Sequence, residues 1–367
     1  MSKPRKVESI VLLPAPSRGC LNERQKIAYR KHRERLITWL ANEGKNPELL
    51  EGYAKHTLEN YATILDKFHR WAWEHGGGFT QDFDHKTGEE YLKQQKLSDK
   101  DLSQSHLHNV QLALKAYYRF QNGEDDDWEP SFKIKSKSGA NNPKDYVTLD
   151  ERQALREASL EYGSVPAYAG LSPEKRRDWK EYLARRYSKP MNELSKEDWE
   201  RANGYKYVSI VHTSLDAGLR PIEVGRAKIY WVDIENEVLR IPEQDSSKNE
   251  NNWTVSLRQD TTEFLGQWLR ERKMYDKYDD TDDLWLTRHG NPYSGKSLKT
   301  LLSNLTEIAG IERELTWYAI RHSVGTYMAR EEGLAAAQSQ LRHESKKTTM
   351  KYDQAPVEDR RDALDRM

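Results

Sequence analysis

Apolar residues recur every three to four positions along most of this chain, and only between Trp231 and Leu257 does the spacing turn to alternation. A period near 3.6 lines side chains along one helix face, whereas a period of two belongs to a half-buried strand. Tyr61, Leu65, Phe68 and Trp71/Ala72 share one helical face, and Leu107, Val110, Leu114 and Tyr117/Tyr118 another. Phe264/Leu265 with Trp268/Leu269, and Leu298, Leu301/Leu302, Leu305 and Ile308, repeat the pattern later on. The exceptions are Trp231 to Ile234, Val238 to Ile241 and Trp253 to Leu257, the last two flanking the polar turn Asp245 to Asn252. The expected fold is mainly α with one small antiparallel β-sheet.

Helix breakers divide the pattern. Gly76 to Gly78, and Gly123 with the acidic Glu124 to Asp127 behind it, bound a small all-helical unit. A chain of 367 residues has room for two or three domains at about 100–200 residues each. The reading is a basic N-terminal arm over residues 1–45, a helical unit over 46–122, a linker over 123–144, a second domain over 145–354 and a tail over 355–367. The linker is rich in Ser, Gly, Pro, Asn and Lys, and it ends at Thr148-Leu-Asp-Glu151, a capping box ahead of Ala154, Leu155 and Ala158. The polar stretch Gly163 to Gly204 reads as an insertion between two helices.

Composition excludes several classes. No run of about 18 apolar residues could span a bilayer, and the apolar stretch Ile10 to Leu13 is too short and too Pro-rich for a signal peptide. The single cysteine, Cys20, allows no internal disulfide and no cysteine metal cage. A cytoplasmic protein without membrane contact is expected. The formal net charge is zero, yet residues 1–35 hold ten Lys/Arg against three Asp/Glu, a balance of +7 that leaves −7 for the rest. From Thr316 to Tyr352 six basic residues oppose three acidic ones. Charge of this kind is usually a solvated face, and alone it does not point to DNA.

Two motifs carry chemistry. In Leu215-Asp-Ala-Gly-Leu-Arg-Pro-Ile-Glu223, Gly218 can end one helix and Pro221 can open the next, which puts Arg220 at a helix start. Unpaired N–H groups there favour anions and an Arg can join them around a phosphate; a plain Arg220–Glu223 clasp is the simpler alternative. The second is Tyr318-Ala-Ile-Arg321-His322, then Leu341-Arg-His343, then Tyr352 nine residues further on. Each residue has an ordinary explanation by itself: Arg321 as a surface charge, the histidines as core or cap residues, Tyr352 as one of 20 tyrosines.

As an ordered set these residues resemble the signature of the tyrosine recombinase, or phage integrase, family in its XerC/XerD-like form. That signature is Gly-Leu-Arg with a following Glu, His-x-x-Arg-His, Leu-Gly-His, and a Tyr nine residues beyond. Two positions depart from it: Tyr318 stands at the usual His, a feature that with the acid-rich surface resembles archaeal relatives, and Arg342 stands at the usual Gly. The resemblance implies a helical, SAM-like core-binding domain followed by an α+β catalytic domain, and a site-specific recombinase that cuts and rejoins double-stranded DNA through a covalent 3′-phosphotyrosine.

In that scheme Tyr352 is the nucleophile, Arg220 and Arg321 hold the phosphate, and His343 with Tyr318 adds hydrogen bonds. Lys248, in the Ser246-Ser-Lys248 turn, matches the family's general acid. Arg342 either reshapes its turn or adds a phosphate contact. No cofactor and no metal are called for. The family acts as a homo-tetramer on DNA, so residues 355–367, with Val357, Leu364 and Met367 at helical spacing, are expected to tether neighbours. The basic arm is either a second DNA contact or only a tail. Alternatives are a type IB topoisomerase-like strand passer and a DNA-binding protein of the same fold that has lost catalysis.

Overall fold

A capping box sets the first long helix of the chain: Gln25 N donates to Asn22 Oδ1 and Asn22 N to Gln25 Oε1, each at 3.0 Å. The computed structural model describes residues 6–98, 102–134, 145–246, 251–352 and 364–366. It separates into two units, Met1–Asn141 and Asn142–Met367.

The first unit opens with a short antiparallel pair, β1 (Lys6–Val7) and β2 (Ile10–Val11). Five helices follow: α1 (Ala15–Cys20), α2 (Glu23–Asn42), α3 (Lys55–His75), α4 (His85–Leu97) and α5 (Gln104–Asn122). The expected N-terminal arm is therefore corrected. Tyr29, Leu36, Ile37 and Leu40 of α2 are buried in one core with Leu58, Phe68, Leu114 and Tyr117. The helical stripe was present in the sequence, but Arg24, Lys31 and Arg35 on the exposed side masked it. Arg33 turns inward and is accommodated by the carbonyl of Ala62 at 3.1 Å. The start of the expected linker is also packed, with Trp128 buried 5.1 Å from the Tyr118 ring. The part of that linker over residues 135–144 lies outside the described residues.

The second unit starts at α6 (Leu149–Glu161), whose capping box at Thr148 and Glu151 forms as expected. After α7 (Pro173–Arg186) and α8 (Lys196–Glu200) comes α9 (Tyr205–Ala217), buried from Val208 to its end. Then follow α10 (Pro221–Arg226), a sheet of β3 (Val232–Asp233), β4 (Val238–Ile241) and β5 (Trp253–Ser256), and α11 (Gln259–Arg272), α12 (Gly295–Ile308), α13 (Trp317–Leu341) and α14 (Lys346–Thr349). The sheet is antiparallel in the order β3-β4-β5, and Val238 pairs with Ser256 and Ile241 with Trp253. Leu239, Ile241 and Val255 face the core, as period-two alternation requires. α9 is the central element, with α6, α11 and α13 packed around it.

Residues 163–204 form a closed excursion rather than a loose insertion. Its helices bury a small core of their own, Val165, Trp179, Leu183, Leu194, Trp199 and Ala202. Among the described residues no helix is long and apolar enough to cross a membrane.

Candidate active site

α9 ends at Gly218, which is left-handed at φ 57°. A Cβ there would lie 2.6 Å from a Leu341 methyl, so this turn needs glycine for both conformation and space. The chain then re-enters a helix at Pro221 with Arg220 as its N-cap residue. Arg220 donates to Glu223 from its backbone N at 2.7 Å and from Nη1 at 2.6 Å. The simple clasp is thus present, and it is part of something larger.

Glu223 is buried and also accepts from Arg342 Nη2 at 2.8 Å. Burial alone would raise the pKa of this carboxyl, but Arg342, then Arg220 and then Arg321 hold it at about 2. One anion thus faces three guanidiniums. Such a buried excess of positive charge suits an incoming anion, because cations in a place of low dielectric act strongly.

Arg321, on α13, is 3% exposed. Its Nη1 donates to the Gly218 carbonyl at 2.6 Å, and its Nη2 to the Leu341 carbonyl at 2.5 Å. Twenty residues of straight helix would separate positions 321 and 341 by about 30 Å. Gly333, at φ 85° and ψ 171°, breaks α13 and lets its second part fold back. Burial, then the guanidiniums of Arg342 and Arg220, lower the pKa of Arg321.

His343 is buried, with Nε2 3.1 Å from Arg321 Nη2 and Nδ1 3.1 Å from Thr349 Oγ1. A guanidinium only donates, so Nε2 accepts and the ring proton is assigned to Nδ1, facing Thr349. Tyr352, in the 3₁₀ turn Met350–Tyr352, lies parallel to that imidazole at 5.8 Å between ring centres. Its Oη is 3.1 Å from His322 Nδ1. A Cβ on Gly325 would sit 2.8 Å from the phenol ring, so α13 makes room for Tyr352 by having no side chain there. Burial pushes the phenol pKa up, while Arg321 and Arg220 draw it back down.

Arg220, Arg321, His343 and Tyr352 are therefore brought together. Tyr318 is not part of their hydrogen-bonded set: it sits in the first turn of α13 with half its surface exposed. Lys248 lies outside the described residues, as do residues 353 and 354 and, in the tail, 355–363 and 367. Arg342 corrects an expectation. It keeps the left-handed backbone of the glycine it replaces, at φ 57°, and its buried guanidinium binds the carbonyls of Ala217 and Gln340 together with Glu223. In this structure it is a buried brace.

Sequence reasoning quoted His322 but gave it no role, and it passed over Thr349 and Gly325. Their only signals were adjacency to Arg321, a hydroxyl six residues after His343, and a small residue one turn after Arg321. Gln340 was also missed. Its Nε2 donates to the carbonyls of Asp216 at 2.9 Å and Ser256 at 2.8 Å, anchoring the end of β5 to α9 and α13.

Residues 186–358 match the model of the phage integrase family. The chain is similar to the tyrosine recombinase XerD of Staphylococcus aureus, at 26% identity over 162 residues that make up 43% of this chain and 53% of that protein. It thus spans about half the length of the curated relatives it matches. Two solved structures share the fold. One is the XerH site-specific recombinase bound to a palindromic difH substrate in a post-cleavage complex, with a TM-score of 0.59 and 17% identity over 94% of this chain and 88% of that one. The other is a lambda integrase tetramer bound to a Holliday junction, with a TM-score of 0.52 and 13% identity over 88% of this chain and 76% of that one.

Proposed function

Starting from residues 186–358 as a phage integrase family domain, and so from the fold of a tyrosine recombinase, we propose that this protein is a site-specific DNA recombinase. It cleaves and rejoins double-stranded DNA through a 3′-phosphotyrosine at Tyr352. The observation that carries this reading is the meeting of the Tyr352 phenol with His322, His343 and Arg321 beside the Arg220–Glu223 pair.

Displacement at a phosphodiester builds charge on the non-bridging oxygens, which Arg220 and Arg321 would hold, with His343 adding a hydrogen bond once its Nε2 is released by Arg321 and carries a proton. Arg321 can exchange its carbonyl acceptors for phosphate oxygens, a geometry that a guanidinium fork matches and an ammonium does not. Tyr352 Oη forms the new P–O bond while the bond to the 5′ oxygen breaks. An ordinary phenol has a pKa near 10, so its proton must leave during attack, and His322 Nδ1 is in place to receive it. The 5′ oxygen takes up a proton in return, a role we assign to Lys248 on the family resemblance. The phosphotyrosine retains the energy of the broken ester, so religation requires no further energy source.

The same reading makes the active form a homo-tetramer on two DNA segments, in the cytoplasm, with residues 355–367 as the tether. The test is incubation with supercoiled plasmid followed by a search for protein attached to DNA. Tyr352→Phe should bind DNA as before, since one hydroxyl counts little beside many phosphate contacts, and should form no adduct. An adduct in that variant would move the nucleophile elsewhere.

A further inference from the structure

The start of α9 is about 20 Å from the Arg220 end of the same helix. There the two ends of the 163–204 excursion close on each other, Gly204 N donating to the Gly163 carbonyl at 2.8 Å and Val165 N to that of Ala202 at 2.9 Å. Neither glycine has room for a side chain. A Cβ on Gly163, whose φ is +89°, would lie 2.4 Å from the Tyr207 ring, and one on Gly204 would lie 2.9 Å from a Glu271 oxygen. Beside them is a cavity of about 170 Å³, walled by Tyr207, Trp268 and Tyr275 and lined by the charges of Lys206, Lys277, Arg288 and Glu271.

Those charges do not cancel. Glu271 is fully buried and its oxygens are already engaged by Tyr205 N at 2.8 Å, the Tyr275 hydroxyl at 3.2 Å and the Tyr182 hydroxyl at 3.5 Å. Burial pushes its pKa up. Lys277 donates to the Thr287 carbonyl at 3.1 Å. Lys206 is half-buried, and among the described residues its ammonium makes no hydrogen bond or ion pair; it lies 4.4 Å from the Tyr207 ring centre. Glu271 attracts this ammonium without bonding it, and a part-buried ammonium is costly unless something pairs with it closely. Arg288 Nε donates to His289 Nε2 at 3.0 Å, so three cations surround one engaged acid at a cavity large enough for a tetrahedral oxyanion.

We propose that this cavity is a binding site for a phosphate group, held by Lys206, Lys277 and Arg288 and separate from the arginine cluster at Arg220. The phosphate belongs either to a free phosphate compound or to the backbone of DNA. Burial and then Lys277 lower the Lys206 pKa to about 8. An anion between the two ammonium groups therefore relieves a repulsion as well as gaining charge-assisted hydrogen bonds.

A lysine of lowered pKa is also a reactive one, which supplies the test. The full chain is acetylated with a limiting reagent near pH 8, and the rate at each lysine is read from its own peptide by mass spectrometry, so phosphate bound near Arg220 does not register. Inorganic phosphate should slow labelling of Lys206 and Lys277 several-fold relative to potassium chloride at equal ionic strength. In Lys277→Gln that protection of Lys206 should disappear. A short DNA duplex in place of phosphate separates the two sources, since protection by both identifies backbone phosphate and protection by phosphate alone a free compound. If phosphate leaves Lys206 labelling unchanged, or still protects it fully in Lys277→Gln, the site as described does not exist.

Discussion

Two pairs of histidines, one in each unit and all buried except the half-buried His322, show how the same side chain serves opposite ends. His32 and His69 lie 5.2 Å apart between ring centres, within an aromatic cluster that includes Tyr29, Trp73, Phe83, Tyr117 and Phe120. Nε2 of each is buried with no hydrogen-bond partner. Burial, ahead of the nearby charges, lowers the pKa of His32 to about 4 and that of His69 well below its ordinary value. Both behave as flat, neutral packing residues. His322 and His343 instead turn their nitrogens to polar side chains, the Tyr352 phenol for one and Arg321 with Thr349 for the other. Burial alone does not mark a functional histidine; what its nitrogens meet does.

The largest test of that contrast is in the second unit. Under the proposed recombinase reading, His322→Ala should slow formation of the covalent adduct by the ~10²–10⁴-fold that lost proton transfer costs, while DNA binding is unchanged. His32→Phe, an aromatic exchange in an aromatic cluster, should leave that rate within about twofold of the parent. Equal losses in both variants would erase the distinction.

The next effect is on stability, and its sign follows from the direction of the shift. His32 stays neutral in the folded chain down to about pH 4, whereas an unfolded histidine takes a proton below about 6.5. Its contribution is complete above pH 6.5 and is lost as the pH falls from there towards 4. At 1.36 kcal/mol per unit the full loss is on the order of 3 kcal/mol. Urea midpoints of the first unit's transition should therefore drop between pH 6.5 and 5, and drop less in His32→Phe. A flat profile in the parent chain, or the same slope in both, would count against a buried neutral imidazole.

The smallest effect is expected at Tyr318, where the related family has a histidine. With its ring half exposed and outside the bonded set, Tyr318→Phe should change the cleavage rate by no more than about fivefold, the worth of one neutral hydrogen bond. A loss of a hundredfold would show that DNA binding recruits this phenol into the site.

The legible parts of this chain were those written in local spacing. Periodicity located α3, α5 and α12, the Thr148–Glu151 box located the start of α6, and alternation located β4 and β5. The order of Gly218, Arg220, Arg321, His343 and Tyr352 pointed to one cluster before any geometry was available. The reading of α2 as an arm failed because its cationic face outweighed a four-residue stripe in the count of charges. Trp231 was read as part of a strand, yet it lies in the 3₁₀ turn Ile229–Trp231, because its ring is fully buried in the core rather than alternating along the sheet.

Sequence by itself determined which residues share a helix face, where helices are capped and which polar groups stand at a recombinase's spacing, because each depends on neighbours a few positions away. Tertiary structure alone decided which way those groups point. Arg342 reaches Glu223, the carboxylate it shares with Arg220, across 119 residues of chain, and His322 meets Tyr352 across 30. The phenol reaches that place because Gly333 folds α13 back and Gly325 leaves the gap it fills. Whether an arginine braces the interior depends on where the nearest buried carboxylate lies in space, and local spacing carries no record of that.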